Sequence, residues 1–360
     1  VIPPVWRKDR RFFMRRNPGQ EHAVLLCVEP DDTERVLIDP AALDPTGLTT
    51  LDAWQPDKQG RQLAYQLSVG GTEESAVYVL DVESGELIEG PIDRARYSPI
   101  AWLLDGASYY YVRRLPPEQV PQGEEQFHRR VWLHKVGDDP DNDVLIFGEN
   151  RKATEYFGVG VSRDGRWLTI SASEGTAPRN DLWVADLESS DPAHPDLLAV
   201  QVGVDAQTSL GFGRDGRAYV YTDLDAQRGR ICVADPLDLR VEARQDLIRE
   251  RTNSVLEGYA ILDGDELERP IMLVSWTTHA VAEVTIHDLA TGDQIGELEL
   301  PGIGTIGGMG VLHDGGHEAW FIYTDHATIP RVMKFDALTG DLTVAAYPPG
   351  FVAVPRISAT

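Results

Sequence analysis

GIGTIGGMG, from Gly302 to Gly310, opens with the spacing G-x-G-x-x-G. Between a strand and a helix, such glycines let a dinucleotide pyrophosphate approach the helix N-terminus. The next residues, VLHDGGHEAWFIYTD, are β-branched and aromatic, are broken by Gly and have no helical period. The context is wrong, and no dinucleotide site is expected. No G-x-S-x-G elbow occurs, so a serine-hydrolase arrangement has no anchor in this chain. Nine histidines are scattered, and none forms H-E-x-x-H or pairs with Cys at zinc spacing. His313 and His317 flank a turn and are read as solvated. DDPDNDV sets Asp139, Asp141 and Asp143 at alternate positions like a calcium loop, but Val144 and Asn150 stand where that loop needs Gly and Glu. A solvated acidic turn is expected there. In the basic, aromatic runs WRKDRRFFMRR and FHRRVW, strand alternation is expected to put rings on one face and charges on the other. The chain offers no catalytic set, no metal site and no cofactor site.

Such residues must be positioned by something, and composition narrows what. With 58 acidic against 33 basic residues the formal charge is −25, a field that repels phosphate backbones and anionic lipid. Neither nucleic acid nor a membrane is expected as a partner. Cys27 and Cys232 each sit in an apolar run (AVLLCVE, RICVAD), which favours buried thiols over a disulfide or metal site. Two cysteines in a chain of this length fit a reducing, cytoplasmic compartment.

An internal repeat decides the architecture. Turns built on Asp, usually with Gly, recur at Asp9, Asp57, Asp105, Asp164, Asp215, Asp263 and Asp314, 48 to 59 residues apart. A β-rich run succeeds each one. A second turn comes after most of them, at Asp81, Asp186, Asp235, Asp288 and Asp336. Asp and Gly suit hairpins because they hydrogen-bond their own backbone or tolerate positive φ. Each unit therefore reads as four antiparallel strands, and seven such units describe an all-β, seven-bladed β-propeller. The third unit carries an insertion, RLPPEQVPQGEEQFHRR. The best helical candidate, ARQDLIRERT, is short and lies between blades. The first and last units each supply all their own strands, so the ring is expected to close without strand exchange. On this reading Gly302–Gly310 leads into the first strand of the last blade, where glycine permits close backbone approach.

FFMRRNPGQEHAVLLCVE (Phe12–Glu29) resembles the first propeller blade of the prolyl oligopeptidase family of serine peptidases. VLIDPAAL, RYSPIAWLLDG, VSRDGRWLTISASEG, NDLWVADL and VTIHDLATG match that family in order, and the resemblance runs from Pro4 to Ala345. It implies a propeller over residues 1–350, with 351–360 starting a linker toward an α/β-hydrolase domain that would act in cis and hold the Ser-Asp-His triad. By the same resemblance Tyr97, Tyr156, Phe157 and Thr176 are expected to face substrate. In the mammalian enzymes the segment at Ser173–Thr176 contributes an Arg and a Cys near the site, and here both are absent.

One function leads the expectation, and two alternatives stand beside it. The first is a non-catalytic gating and size-selecting domain of a prolyl oligopeptidase-like serine endopeptidase acting on short proline-containing peptides. The second is a stand-alone propeller binding a protein or peptide. The third is a small-molecule site in the axial funnel. A nucleophile elbow encoded downstream separates the first from the other two.

Overall fold

A computed structural model describes residues 2–351; the expected linker lies almost wholly outside them. The chain forms seven consecutive sheets in which strands pair in chain order, a seven-bladed β-propeller with four antiparallel strands per blade. Helix is confined to Pro40–Leu43 and three short 3₁₀ turns. The ARQDLIRERT segment is not helical: Gln245–Ile248 is the fourth strand of blade 5. Leu247 and Ile248 bury there beside Ile231, and that tertiary packing overrides the weak local helix preference.

The second turn of each blade shows why its residues recur. Gly85, Gly292 and Gly340 have φ near +75° and donate their N–H to the carbonyls of Asp81, Asp288 and Asp336. The Asp81 carboxylate also accepts from the Ser84 N–H at 2.8 Å. Between third and fourth strands a register shift recurs, at Leu25/Leu26, Val131/Trp132, Leu182/Trp183, Ile231/Cys232, Ile286/His287 and Val332/Met333. A bulge sharpens strand twist, so the outer edge of each of these blades is turned in the same way.

The chain divides into two compact units. Among the described residues one comprises Pro40–Phe212 with Leu237–Glu242, and the other 2–39, Gly213–Pro236 and 243–351. In the first, the sheets of blades 2 to 4 bury Val77, Val79, Trp102, Tyr109 and Tyr111 in one cluster and Tyr110, Val131, Phe157, Leu168 and Ile170 in another. In the second, Leu262, Leu273, Val284, Phe321 and Tyr323 pack between blades 6 and 7. Cys27 and Cys232 are buried free thiols; burial is the main cause that pushes each up to about 11.

Blades 1 and 7 close without strand exchange. Val5–Arg7 pairs with Arg10–Arg15 inside blade 1. Blade 7 uses Arg331–Asp336 and Leu342–Ala346 as its outer strands. The seam holds by packing: the Trp6 and Trp320 rings lie 5.4 Å apart. Lys8 and Asp314 pair at 2.9 Å, both about half exposed, a pair worth at most about 1 kcal/mol. The first strand of blade 7 is split into Gly304–Ile306 and Gly310–Val311 rather than continuous. A Cβ on Gly304 would collide with the Thr324 carbonyl oxygen, so glycine is required where the chain enters the sheet. With no shared ladder at the seam, amide exchange is expected to be faster in Val5–Arg7 and Gly310–Val311 than in Ile271–Thr278 of blade 6. Equal protection, measured by mass spectrometry, contradicts this.

Candidate functional site

Within a blade, the turns after the first and third strands share one end, and the loop after the second shares the other with the connection to the next blade. Tyr97 lies in the connection from blade 2 (fourth strand Leu87–Ile92) to blade 3 (first strand Ile100–Trp102). Tyr156 is the second residue of the first strand of blade 4, Glu155–Val161, and Thr176 lies in the loop after its second strand, Trp167–Glu174. All three stand at the ends of their blades opposite the Asp-Gly turns.

This connection is held in a costly conformation. Arg94 and Tyr97 have φ of +60° and +56°, in the left-handed region that side chains avoid. Buried hydrogen bonds impose it. The Gln66 amide donates to the Ser98 carbonyl at 2.7 Å, the Val112 N–H to the Ser98 hydroxyl at 2.9 Å, and the Ala95 N–H to the Ser75 carbonyl at 3.1 Å. Pro99 disfavours a helical Ser98. The Tyr97 ring is thereby pushed outward, 52% exposed. Its hydroxyl donates to Glu73, and the Arg96 guanidinium, which also bonds Glu73, lies 4.8 Å from its centroid. The hydroxyl first, and then Arg96, hold the Glu73 carboxyl below the usual range.

Tyr97 and Tyr156 come together, their centroids 6.2 Å apart. The Arg129 guanidinium stands 3.9 Å from the Tyr156 centroid. Thr176 is exposed in its turn. Beside it opens a cavity of about 310 Å³, lined by Lys152, Glu155, Glu174, Arg179 and Asp181. Its carboxylates are paired: Glu155 and, at 2.7 Å, Asp181 bond Arg151, which stands outside the lining, and Glu174 bonds Lys152. Phe157 points the other way along its strand. It is 5% exposed and packs edge-on against Phe147 at 5.5 Å.

Several groups differ from their sequence reading. Rings and charges do not separate in FHRRVW: Arg129 alternates with Val131, and both are buried, while Arg130 shares a face with Trp132. Asp143 is not a solvated turn residue. It bonds the buried His134 at 2.6 Å and accepts the Tyr111 hydroxyl at 2.6 Å. Glu89 meets the other His134 nitrogen at 3.1 Å. This His-carboxylate group has no exposure at the imidazole, so it is structural and cannot serve as a base toward substrate. His313 and His317 are partly buried, not fully solvated. Among the described residues His317, Glu318 and Asp336 bring ligand atoms within 4.8 Å of one another. Glu318 is taken by Lys334 at 2.7 Å and His317 by Glu266 at 2.5 Å.

The family model for the prolyl oligopeptidase N-terminal β-propeller domain matches residues 1–347. The chain belongs to the prolyl oligopeptidase family. A prolyl endopeptidase of Elizabethkingia meningoseptica is 26% identical over 354 residues, covering 96% of this chain and 47% of that protein. The dual-function macrocyclase-peptidase of Galerina marginata is 23% identical over 240 residues, 63% of this chain and 32% of that one. Among solved structures, one from a study of two prolyl endopeptidases superposes with a TM-score of 0.85 at 24% identity, over 95% of this chain and 48% of that one. Prolyl oligopeptidase B of Galerina marginata, bound to a 35mer hydrolysis and macrocyclization substrate, gives 0.82 at 18%, over 95% and 49%. The chain spans about half the length of the curated relatives with which it aligns end to end. Among the described residues no helix is long and apolar enough to cross a membrane.

Proposed function

We propose that this chain is the gating and size-selecting propeller of a prolyl oligopeptidase-like serine endopeptidase, working in cis with an α/β-hydrolase domain on short proline-containing peptides. The observation that carries this is the propeller match over residues 1–347 in a chain that covers 47% of a prolyl endopeptidase. The physical role is steric. A ring over a catalytic cleft admits a flexible, narrow chain and turns away a folded one. Tyr97, Tyr156 and Thr176 are the residues proposed to face the peptide, because they share one end of their blades and Tyr97 and Tyr156 meet there. Phe157, spent on packing against Phe147 of blade 3, would act only through Tyr156. We place the protein in the cytoplasm, on the two unpaired buried thiols.

Two measurements test this. Purified chain is expected to leave a proline-containing chromogenic peptide uncut, because it has no nucleophile elbow. Hydrolysis abolished by a serine-directed phosphonate that labels this chain would overturn that expectation. With the catalytic domain attached, a short peptide is expected to be cut while the same site inside a folded protein is spared. Equal cleavage of both removes the gating role.

A further inference from the structure

Arg129 opens the third strand of blade 3, Arg129–Lys135, directly after His128, whose φ is +56°. Alternation places it on the face of Val131 and drives its guanidinium inward, to 3% exposure. Among the described residues its Nε and Nη1 have no hydrogen-bond partner, and no carboxylate forms an ion pair with it. Its neighbours make matters worse. Burial first, and then the Arg114 and Arg96 charges, lower its pKa, opposed only by the Tyr156 hydroxyl through its charge and a hydrogen bond. A guanidinium nevertheless stays protonated in proteins. Arg96 and Arg114 have their own acids, Glu73 and Glu74. In a chain with 58 carboxylate side chains to draw on, the most buried cation of this group has none.

A buried, unpaired cation is normally selected against unless something outside the chain completes it. A guanidinium N–H left without an acceptor matches a carboxylate oxygen, which takes it in a charge-assisted hydrogen bond. The Tyr156 ring over it and the exposed Tyr97 ring beside that supply an apolar wall for the rest of a ligand. We propose that Arg129, with Arg96 and Arg114 beside it and Tyr156 over it, is a subsite for a carboxylate of the bound peptide. This rests on the reading that the Tyr97 end of the blades faces peptide. The carboxylate comes either from an acidic side chain or from the peptide's C-terminus.

The test is calorimetric titration of the chain with three proline-containing peptides of one sequence. One carries Glu and blocked ends, one Gln and blocked ends, and one Gln with a free C-terminal carboxylate. The Glu peptide or the free-ended peptide is expected to bind about tenfold tighter than the blocked Gln peptide, which of the two identifying the source. The preference is expected to vanish in Arg129→Met, and to persist in Arg129→Lys with a smaller ratio. Arg129→Met should melt no lower than the parent, because it removes an uncompensated buried charge. Indifference to the carboxylate in the parent, or a preference that survives Arg129→Met, overturns the subsite. So does a lowered melting temperature with no preference lost. In the two-domain enzyme, an equal loss of kcat/KM on all three peptides assigns Arg129 to a carboxylate of the catalytic domain and also overturns it. A carboxylate preference that persists while folded proteins are cut freely sinks the gating role and leaves the subsite standing.

Discussion

His134→Leu is expected to cost about 3–5 kcal/mol of folding stability, the usual cost of removing one partner from a buried charged group. His134 has no exposure and lies between Asp143 at 2.6 Å and Glu89 at 3.1 Å. Burial favours its neutral form, yet hydrogen bonds to Asp143 and Glu89, and then their charges, outweigh burial and raise its pKa to about 9. Without the imidazolium, two carboxylates stay in a site lined by Tyr109 and Tyr111, whose hydroxyls donate to Glu89 at 2.9 Å and to Asp143. The decisive comparison is the triple variant His134→Leu, Glu89→Met, Asp143→Leu. Replacing a whole buried ionic group by apolar side chains is often neutral, so the triple variant should recover most of the single variant's loss in a urea titration. A single-variant cost under about 1 kcal/mol, or a triple variant no better than the single, means the three do not act as one charged unit.

The same group fixes a pH window. A folded pKa of about 9 against an ordinary 6.5 means that His134 contributes its full stability below pH 6.5 and loses it as pH rises through 9. Glu89 is opposite in sign. Burial raises its pKa, but the His134 hydrogen bond and the Gly137 N–H outweigh that and hold it below 4.5. Its contribution is present above pH 4.5 and lost as pH falls. Stability from this group should be greatest between about pH 4.5 and 6.5, and the alkaline fall should disappear in the triple variant.

The repeat was legible in the sequence because its signals are local. An Asp that accepts from the N–H three residues on, as Asp81 does from Ser84, and a Gly at φ near +75° must lie within one turn, so spacing reports them directly. Charge pairing across blades is not local. His134 and Glu89 are 45 residues apart, and nothing near Asp143 distinguishes a turn carboxylate in solvent from one aimed at an imidazole. Arg129 left a faint trace: it stands two residues before Val131 in a strand whose other face already holds Arg130, Trp132 and His134. Alternation alone assigned it to one of two faces, and only the packed sheet shows that both are partly buried. Tyr97 and Tyr156 came from resemblance, which supplied positions but neither their pairing, nor the left-handed backbone, nor the Glu73 and Arg96 contacts that hold Tyr97 out.

Tyr97→Ala, in the enzyme with its catalytic domain, is expected to lower kcat/KM about 5- to 30-fold for peptides extending several residues upstream of proline, the value of one well-packed aromatic contact of roughly 1–2 kcal/mol. The shortest substrates should be spared, because they do not reach it. At 52% exposure the ring contributes little to the fold, so the melting temperature should stay within a degree or two. Tyr97→Phe separates the two ends of the side chain. It keeps the apolar face and removes the hydroxyl that donates to Glu73. If the face binds the peptide, Phe should retain most of the activity on long substrates. If the hydroxyl matters by fixing Glu73 and Arg96, Phe should behave like Ala. Tyr97→Gly is the third arm. Glycine adopts φ of +56° without strain, so this variant loses the ring and relieves the backbone together. It should be at least as stable as the Ala variant and no more active on long peptides. Equal slowing of all substrates, with a melting temperature lowered by several degrees, would make Tyr97 a structural residue and remove it from the peptide site.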